Sequence, residues 1–190
     1  MIIESQTRPA RFAANILAAA IMLAACSPDM AGDTKEETGV VFFNPGNIPY
    51  QGIEDTAVQL TDGTWEGEPW VEGGASRPRV GLIKDFFLPG DLDNDGMDEA
   101  VVGLWQSSGG SGTFNYIALL DHTQSGITNT FTAPLGDRVK LEGGSIENGF
   151  VLVDVIQHGP DEPACCPTQA VTRKYDGSLK LISTTARTEE

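Results

Sequence analysis

The chain has 190 residues, 40% of them apolar and 21% charged, and carries Lys+Arg 12 against Asp+Glu 27 for a formal net charge of -15. That length holds one domain of ordinary size, and Gly 22 with Pro 11 predicts a chain rich in turns. So acidic a surface repels phosphate backbones, whose capture rests on Lys and Arg, and this excludes nucleic acid as a partner.

At the N-terminus, Arg8 and Arg11 form a weakly basic segment. Phe12 to Ala25 follows as an apolar run interrupted by Asn15, too short for a membrane span and suited to the core of an export signal. The run ends Leu23-Ala24-Ala25-Cys26. This tetrapeptide resembles the lipobox of bacterial lipoproteins, which implies cleavage before Cys26 and diacylglycerol on its thiol. Several acyl chains, at about 0.8 kcal/mol per buried methylene, make a stable anchor. Residues 1–25 are thus expected to be a signal peptide and the membrane a partner through the lipid. Ser27, where enterobacterial-type sorting places Asp for inner-membrane retention, leans towards the outer membrane, facing the periplasm. From the lipidated Cys26 to residue 39 no apolar period appears, which predicts a flexible tether.

A single β domain is expected over residues 40–185, with 186–190 as a C-terminal tail. Period-2 runs separated by turn residues dominate it. Thr56 to Leu60 and Thr64 to Glu66 flank Asp62-Gly63, a hairpin signal. Arg79 to Leu88 and Glu99 to Gln106 are strands on either side of an acidic loop. Phe114 to Leu120 follows a Ser107-Ser108-Gly109-Gly110-Ser111-Gly112 connection, and Thr128 to Ala133 and Arg138 to Leu141 are shorter strands. Phe150 to Gln157 pairs back on Gly144 to Ile146 through Asn148-Gly149, while Ala170 to Tyr175 and Leu179 to Ser183 flank Asp176-Gly177. No segment of this region has a helical period. The expected fold is all-β and mainly antiparallel, either a sandwich or a partly open barrel.

The most specific chemistry lies in Asp91-Leu92-Asp93-Asn94-Asp95-Gly96-Met97-Asp98-Glu99. Calcium takes six to eight oxygen ligands, and alternate residues of a loop can converge on one such ion. Asp91, Asp93 and Asp95 fill positions one, three and five. Gly96 permits the sharp turn, the Met97 carbonyl stands at seven and Glu99 at nine. Val102 occupies position twelve, where an EF-hand has a bidentate Glu, and a β-type run follows in place of a helix. From Gly90 to Val102 the pattern resembles the calcium loops of integrin-alpha (FG-GAP) repeats. The resemblance implies a structural calcium ion on the loop and not a propeller, which needs several blades. Close carboxylates repel by about 1 kcal/mol per pair even in bulk water, and a cation would offset this. The expected affinity is that of extracellular modules, on the order of 10⁻⁴–10⁻³ M. Magnesium, with its tight octahedral demand, fits less well.

Cys165 and Cys166 are the two remaining thiols, in a loop fenced by Pro160, Pro163 and Pro167. In an oxidising compartment they are expected to pair as a vicinal disulfide, which either stiffens the loop or serves a redox role. A soft-metal site of both thiolates with His158 is a lesser alternative. Gly109-Gly110-Ser111-Gly112-Thr113 lacks the second glycine of a nucleophile elbow and no helix follows it. His122 and His158 read as solvated loop residues, and Trp65, Trp70 and Trp105 as packing. No catalytic residue is assigned. Over Gly90 to Gly96, Gly109 to Phe114, Leu135 to Val139 and Asp161 to Gln169 the chain resembles uncharacterised bacterial envelope lipoproteins, which assigns no activity. The expected function is a lipid-anchored, calcium-stabilised envelope domain that binds another envelope protein or polymer. The alternative is an envelope redox or hydrolytic enzyme using Cys165/Cys166 or the metal loop.

Overall fold

The structure, a computed structural model, describes residues 44–123 and 126–188. The expected signal peptide 1–25, the lipidation site Cys26 and the tether to residue 39 lie outside the described residues. The fold is all-β and antiparallel, with a five-stranded sheet that curls as a half-barrel. After a 3-10 turn at Pro45–Asn47 come β1 (Pro49–Tyr50), β2 (Val58–Gln59), β3 (Thr64–Glu66), β4 (Arg79–Gly90), β5 (Glu99–Ser107) and β6 (Phe114–Thr123). β7 (Gly126–Asp137), β8 (Lys140–Glu147), β9 (Phe150–Gln157), β10 (Gln169–Tyr175) and β11 (Leu181–Ala186) complete the chain. The five-stranded sheet runs β3-β4-β5-β6-β7, a four-stranded sheet runs β11-β10-β9-β8, and β1 pairs with β2. Bulges interrupt β4 between Leu82 and Phe87 and β7 at two places, opposite Asn115/Tyr116 and Leu119/Leu120. An extra residue bends a strand and increases its twist, which curls the sheet.

Alternation of side chains builds two cores from the same sheet. On one face Val101, Ile117, Leu119 and Leu135 pack with Val151, Val153, Val155 and Val171 of the four-stranded sheet. On the other, Val80, Val102, Leu104 and Leu120 pack with Tyr50, Val58 and Leu60 of the β1–β2 region. Strand β5 is therefore buried on both sides, which explains its unbroken Ala100-Val101-Val102-Gly103-Leu104 run. The β1–β2 ribbon is fixed by Gln51 N–H donating to Asn129 Oδ1 at 2.9 Å and Tyr50 Oη donating to the Pro45 carbonyl at 2.9 Å.

Most sequence-read strands are present, with three differences. Asp62 (φ 51°) and Gly63 (φ 80°) do form the tight turn, but the flanks meet at one bridge, Thr61 with Thr64. Beyond it β2 pairs with β1 and β3 with β4, because Val58 and Leu60 are drawn to the second core while Thr64–Glu66 joins the sheet edge. Of the expected Arg138–Leu141 strand only Lys140 and Leu141 are extended, and they belong with Gly144–Ile146 to one strand, β8, bulged between Leu141 and Gly143; Arg138, at φ 51°, lies in the turn before it. Leu179 is a loop residue with φ 56°. It is buried in the core, while Asp176 accepts hydrogen bonds from Ser178 N at 2.9 Å and Lys180 N at 3.0 Å to shape the turn around it.

Candidate metal centre

The acidic loop links β4 to β5, which pair up to Gly90 opposite Glu99. Three features hold its base. Leu92 turns inward and joins the core at 5% exposure. Gly90 lies against β8, since a Cβ there would stand 2.8 Å from Ile146 Cβ. The Leu92 amide donates to Glu99 Oε2 at 2.7 Å, locking one end of the loop to the other.

Above this base the carboxylates face inward on the loop. Gly96 N–H donates to Asp91 Oδ2 at 3.1 Å, Asp95 N–H to Asp93 Oδ1 at 3.0 Å and Met97 N–H to Asp95 Oδ1 at 2.8 Å. Asn94 (φ 65°) and Gly96 (φ 91°) turn the backbone left-handed. At Gly96 nothing lies within 4 Å of a Cβ, so the backbone angle, not space, calls for glycine.

Asp91, Asp93 and Glu99 each bring one carboxylate oxygen to within 4.8 Å of the others. The predicted Asp95 lies one step up the loop, its Oδ1 occupied with the Met97 amide. Met97, whose main-chain carbonyl is the donor expected there, is 50% exposed. Two observations bear on whether these residues fit a cation. Asp91 Oδ1 is buried and accepts no hydrogen bond from the described residues, an arrangement that costs about 1–3 kcal/mol for an oxygen left without a partner. Glu99, 4% exposed, has its carboxyl pushed above the usual range by burial and by the charges of Asp93, Asp121 and Asp95, against the Leu92 N–H bond that lowers it. An all-oxygen, anionic, preshaped group of this kind could hold a metal, and its hard donors suit a hard divalent cation.

Asp121 is a neighbouring charge, outside the group of Asp91, Asp93 and Glu99, that the loop sequence does not contain. Ala100 pairs with Leu120 across β5 and β6, so Asp121 is the next residue towards the acidic loop, and its charge acts on Glu99. Only the strand register reveals it.

The other predicted site lies at the far end of the same hairpin. Cys165 and Cys166 are joined by a disulfide with Cα atoms 3.8 Å apart, both exposed on the loop between β9 and β10. Arg138 Nη1 donates to the Ala164 carbonyl at 2.9 Å and also meets the Asp137 carboxylate, while Nη2 meets the Ser111 carbonyl. One guanidinium thereby ties the cysteine loop to the Gly-rich connection. Glu162 closes the loop from within, accepting from Gly159 N and Thr168 N at 3.0 Å each. His158 departs from the solvated reading: both ring nitrogens are buried, with no hydrogen-bond partner among the described residues. No family model, curated protein or solved structure matches this chain.

Proposed function

We propose that the protein is a lipid-anchored domain of the cell envelope, held together by a structural calcium ion, that binds another envelope component without catalysing a reaction. The observation that carries the cation is the convergence of Asp91, Asp93 and Glu99, with Asp91 Oδ1 buried and unpartnered. Asp91, Asp93 and Glu99 would hold the ion directly, joined by Asp95 and the Met97 carbonyl as the loop tightens. Bound there, a divalent cation neutralises the carboxylates that otherwise repel. The Leu23-Ala24-Ala25-Cys26 motif and its polar sequel support the anchor and a periplasm-facing location.

Melting the protein with calcium and with chelator tests the cation. At a hundredfold excess over Kd, binding to the native state adds about 2.7 kcal/mol, a rise of roughly 5–10 °C for a domain of this size. An unchanged midpoint would remove calcium from the proposal. Labelling with a fatty-acid analogue tests the anchor, because label retained by Cys26→Ala contradicts it.

The exposed Cys165–Cys166 disulfide favours a second reading, an envelope redox factor. Differential alkylation followed by mass spectrometry decides it: cysteines that stay unreactive in both oxidised and reduced protein end that reading.

A further inference from the structure

All three tryptophans of the chain, Trp65, Trp70 and Trp105, gather where the β4–β5 hairpin ends away from the acidic loop. There a cleft of about 500 Å³ runs along the outer edge of β3, lined among others by Gln59, Thr64, Trp65, Glu66, Arg79 and Trp105. We propose that this cleft binds an uncharged sugar unit of a glycan, stacked on Trp105 and hydrogen-bonded by the Arg79–Glu66 pair. The inference deepens the binding-module reading by naming the ligand class, and it rests on that reading for binding alone, not for the cation or the anchor.

Strand register sets the arrangement. Thr64 pairs with Gly81, and Gly81 with Trp105. Glu66 pairs with Arg79 one step of the pleat away, so Thr64, Glu66, Arg79 and Trp105 share one face of the sheet. The absence of a side chain at Gly81 is what lets the indole lie across β4 towards β3, since a Cβ there would stand 2.6 Å from Trp105 Nε1 and 2.7 Å from Cε2. Trp65, paired with Val80 on the opposite face, walls the cleft from the other side. Its ring is braced on Gly67 and Pro78, for a Cβ at Gly67 would lie 2.6 Å from Trp65 Cη2 and 2.7 Å from Pro78 Cγ.

Beside the Trp105 indole stands a fixed polar fork. Arg79 Nε donates to Glu66 Oε2 at 2.6 Å and Arg77 Nη1 to Glu66 Oε1 at 2.7 Å. Glu66 is held at both oxygens, and each guanidinium carries further N–H donors. The charged side chains remain open to solvent, Arg79 at 56% and Glu66 at 43%.

The ligand class follows from what this set can satisfy together. A pyranose has an apolar C–H face, which an indole covers, and a rim of hydroxyls that each donate and accept. Arg79 donates, Glu66 accepts, and Thr64 and Gln59 do both. An apolar ligand would desolvate the Arg–Glu pair without return. An anionic ligand would meet Glu66 between the two arginines on a chain of net charge -15. The volume lies within the range of small-molecule sites.

The test titrates the full chain with soluble cello-, malto- and chito-oligosaccharides, read by tryptophan fluorescence and calorimetry. Saturable binding of at least one series is expected. Arg79→Ala should weaken it about fivefold with no change in melting midpoint. Trp105→Ala should weaken it about tenfold or more, whereas Trp70→Ala, outside the cleft, should leave it unchanged. Should Trp105→Ala fail to fold, Arg79→Ala and Gly81→Ala, which displaces the indole, carry the test. No saturable signal from any series, or one that survives Arg79→Ala and Trp105→Ala, overturns the proposal, as does binding confined to peptides added at the β3 edge. A protein that ignores calcium yet binds a glycan would retire the cation and keep this inference; a calcium-stabilised protein that binds none would do the reverse.

Discussion

The two ends of the β4–β5 hairpin spend their side chains in opposite ways. At the Gly90–Glu99 end, the loop turns Leu92 into the core and its carboxylates towards one another, so the polar groups are concentrated and the apolar ones hidden. At the Arg79–Ser107 end, aromatic surface is left outside: Trp70 is 60% and Phe114 44% exposed. Trp70 is nonetheless fixed, its Nε1 donating to the Ser108 carbonyl at 2.7 Å and its amide to the Ser76 carbonyl at 3.1 Å. Aromatic surface held in place at one end is what the proposed glycan contact would use, whereas charge gathered over a buried anchor at the other is what the proposed cation would neutralise. On the proposed reading, one end serves the fold and the other meets a ligand.

Leu92→Ala should have the largest effect at the acidic end. Emptying a core site costs about 2–4 kcal/mol, read from denaturant midpoints, and the calcium-dependent rise should shrink with it. A loss no larger than that of a surface substitution would show that the loop does not anchor the core. Next in size, Asp91→Asn or Glu99→Gln should abolish the roughly 5–10 °C calcium response. The same variants in chelator should melt no lower than the parent, because each removes repulsion worth about 1 kcal/mol per close pair. A calcium response that survives either substitution would place the ion elsewhere.

At the opposite end the effects should be smaller. Replacing both Cys165 and Cys166 by serine should cost about 1 kcal/mol or less, since a bridge between adjacent residues closes almost no chain, and the calcium response should persist in full. The smallest effect concerns acid. Hydrogen bonds from the Thr168 hydroxyl and from the Gly159 and Thr168 amides, with His158 nearby, hold the Glu162 carboxyl below its ordinary range. A depressed carboxyl contributes order above its ordinary pKa, and that order is lost as pH falls through the depressed value. Protection of the Gly159 and Thr168 amides against exchange, measured by NMR relative to the unstructured chain at the same pH, should therefore fall on acidification below the usual carboxylate range. Protection that stays constant as the pH falls would remove Glu162 as the clasp.

The acidic end was largely legible in the sequence and the aromatic end was not. Asp91, Asp93, Gly96 and Glu99 act within one short segment, so spacing alone conveys their geometry, and the strands on either side show by alternation. Asp121 escaped because it reaches Glu99 through the β5–β6 register. The Trp105 platform escaped for the same reason. It depends on Gly81 standing between Thr64 and Trp105 across three strands, and a lone tryptophan in an apolar run reads as packing. Strand β1 was missed because Pro49–Tyr50 is too short to show a period. The Asp62-Gly63 turn was read rightly and its consequence wrongly, because burial of Val58 and Leu60 outweighs the hairpin preference. His158, expected in water, has its ring nitrogens buried, an outcome of loop packing that local sequence does not encode.

In both larger sheets each strand lies beside its neighbour in the chain. Pairing of this kind needs only short loops to close at each step, which lowers the entropic barrier to assembly. The β1–β2 ribbon is the exception, since its Gln51–Asn129 bond spans 78 positions. The meander can zip hairpin by hairpin, with β5 as its shared centre, and the ribbon is left to dock last. Until it docks, Val102, Leu104 and Leu120 lie bare on one face of the finished sheet. The slowest step in folding should therefore be the one that covers the second core, and removal of Tyr50 should slow it without unravelling the sheet beneath.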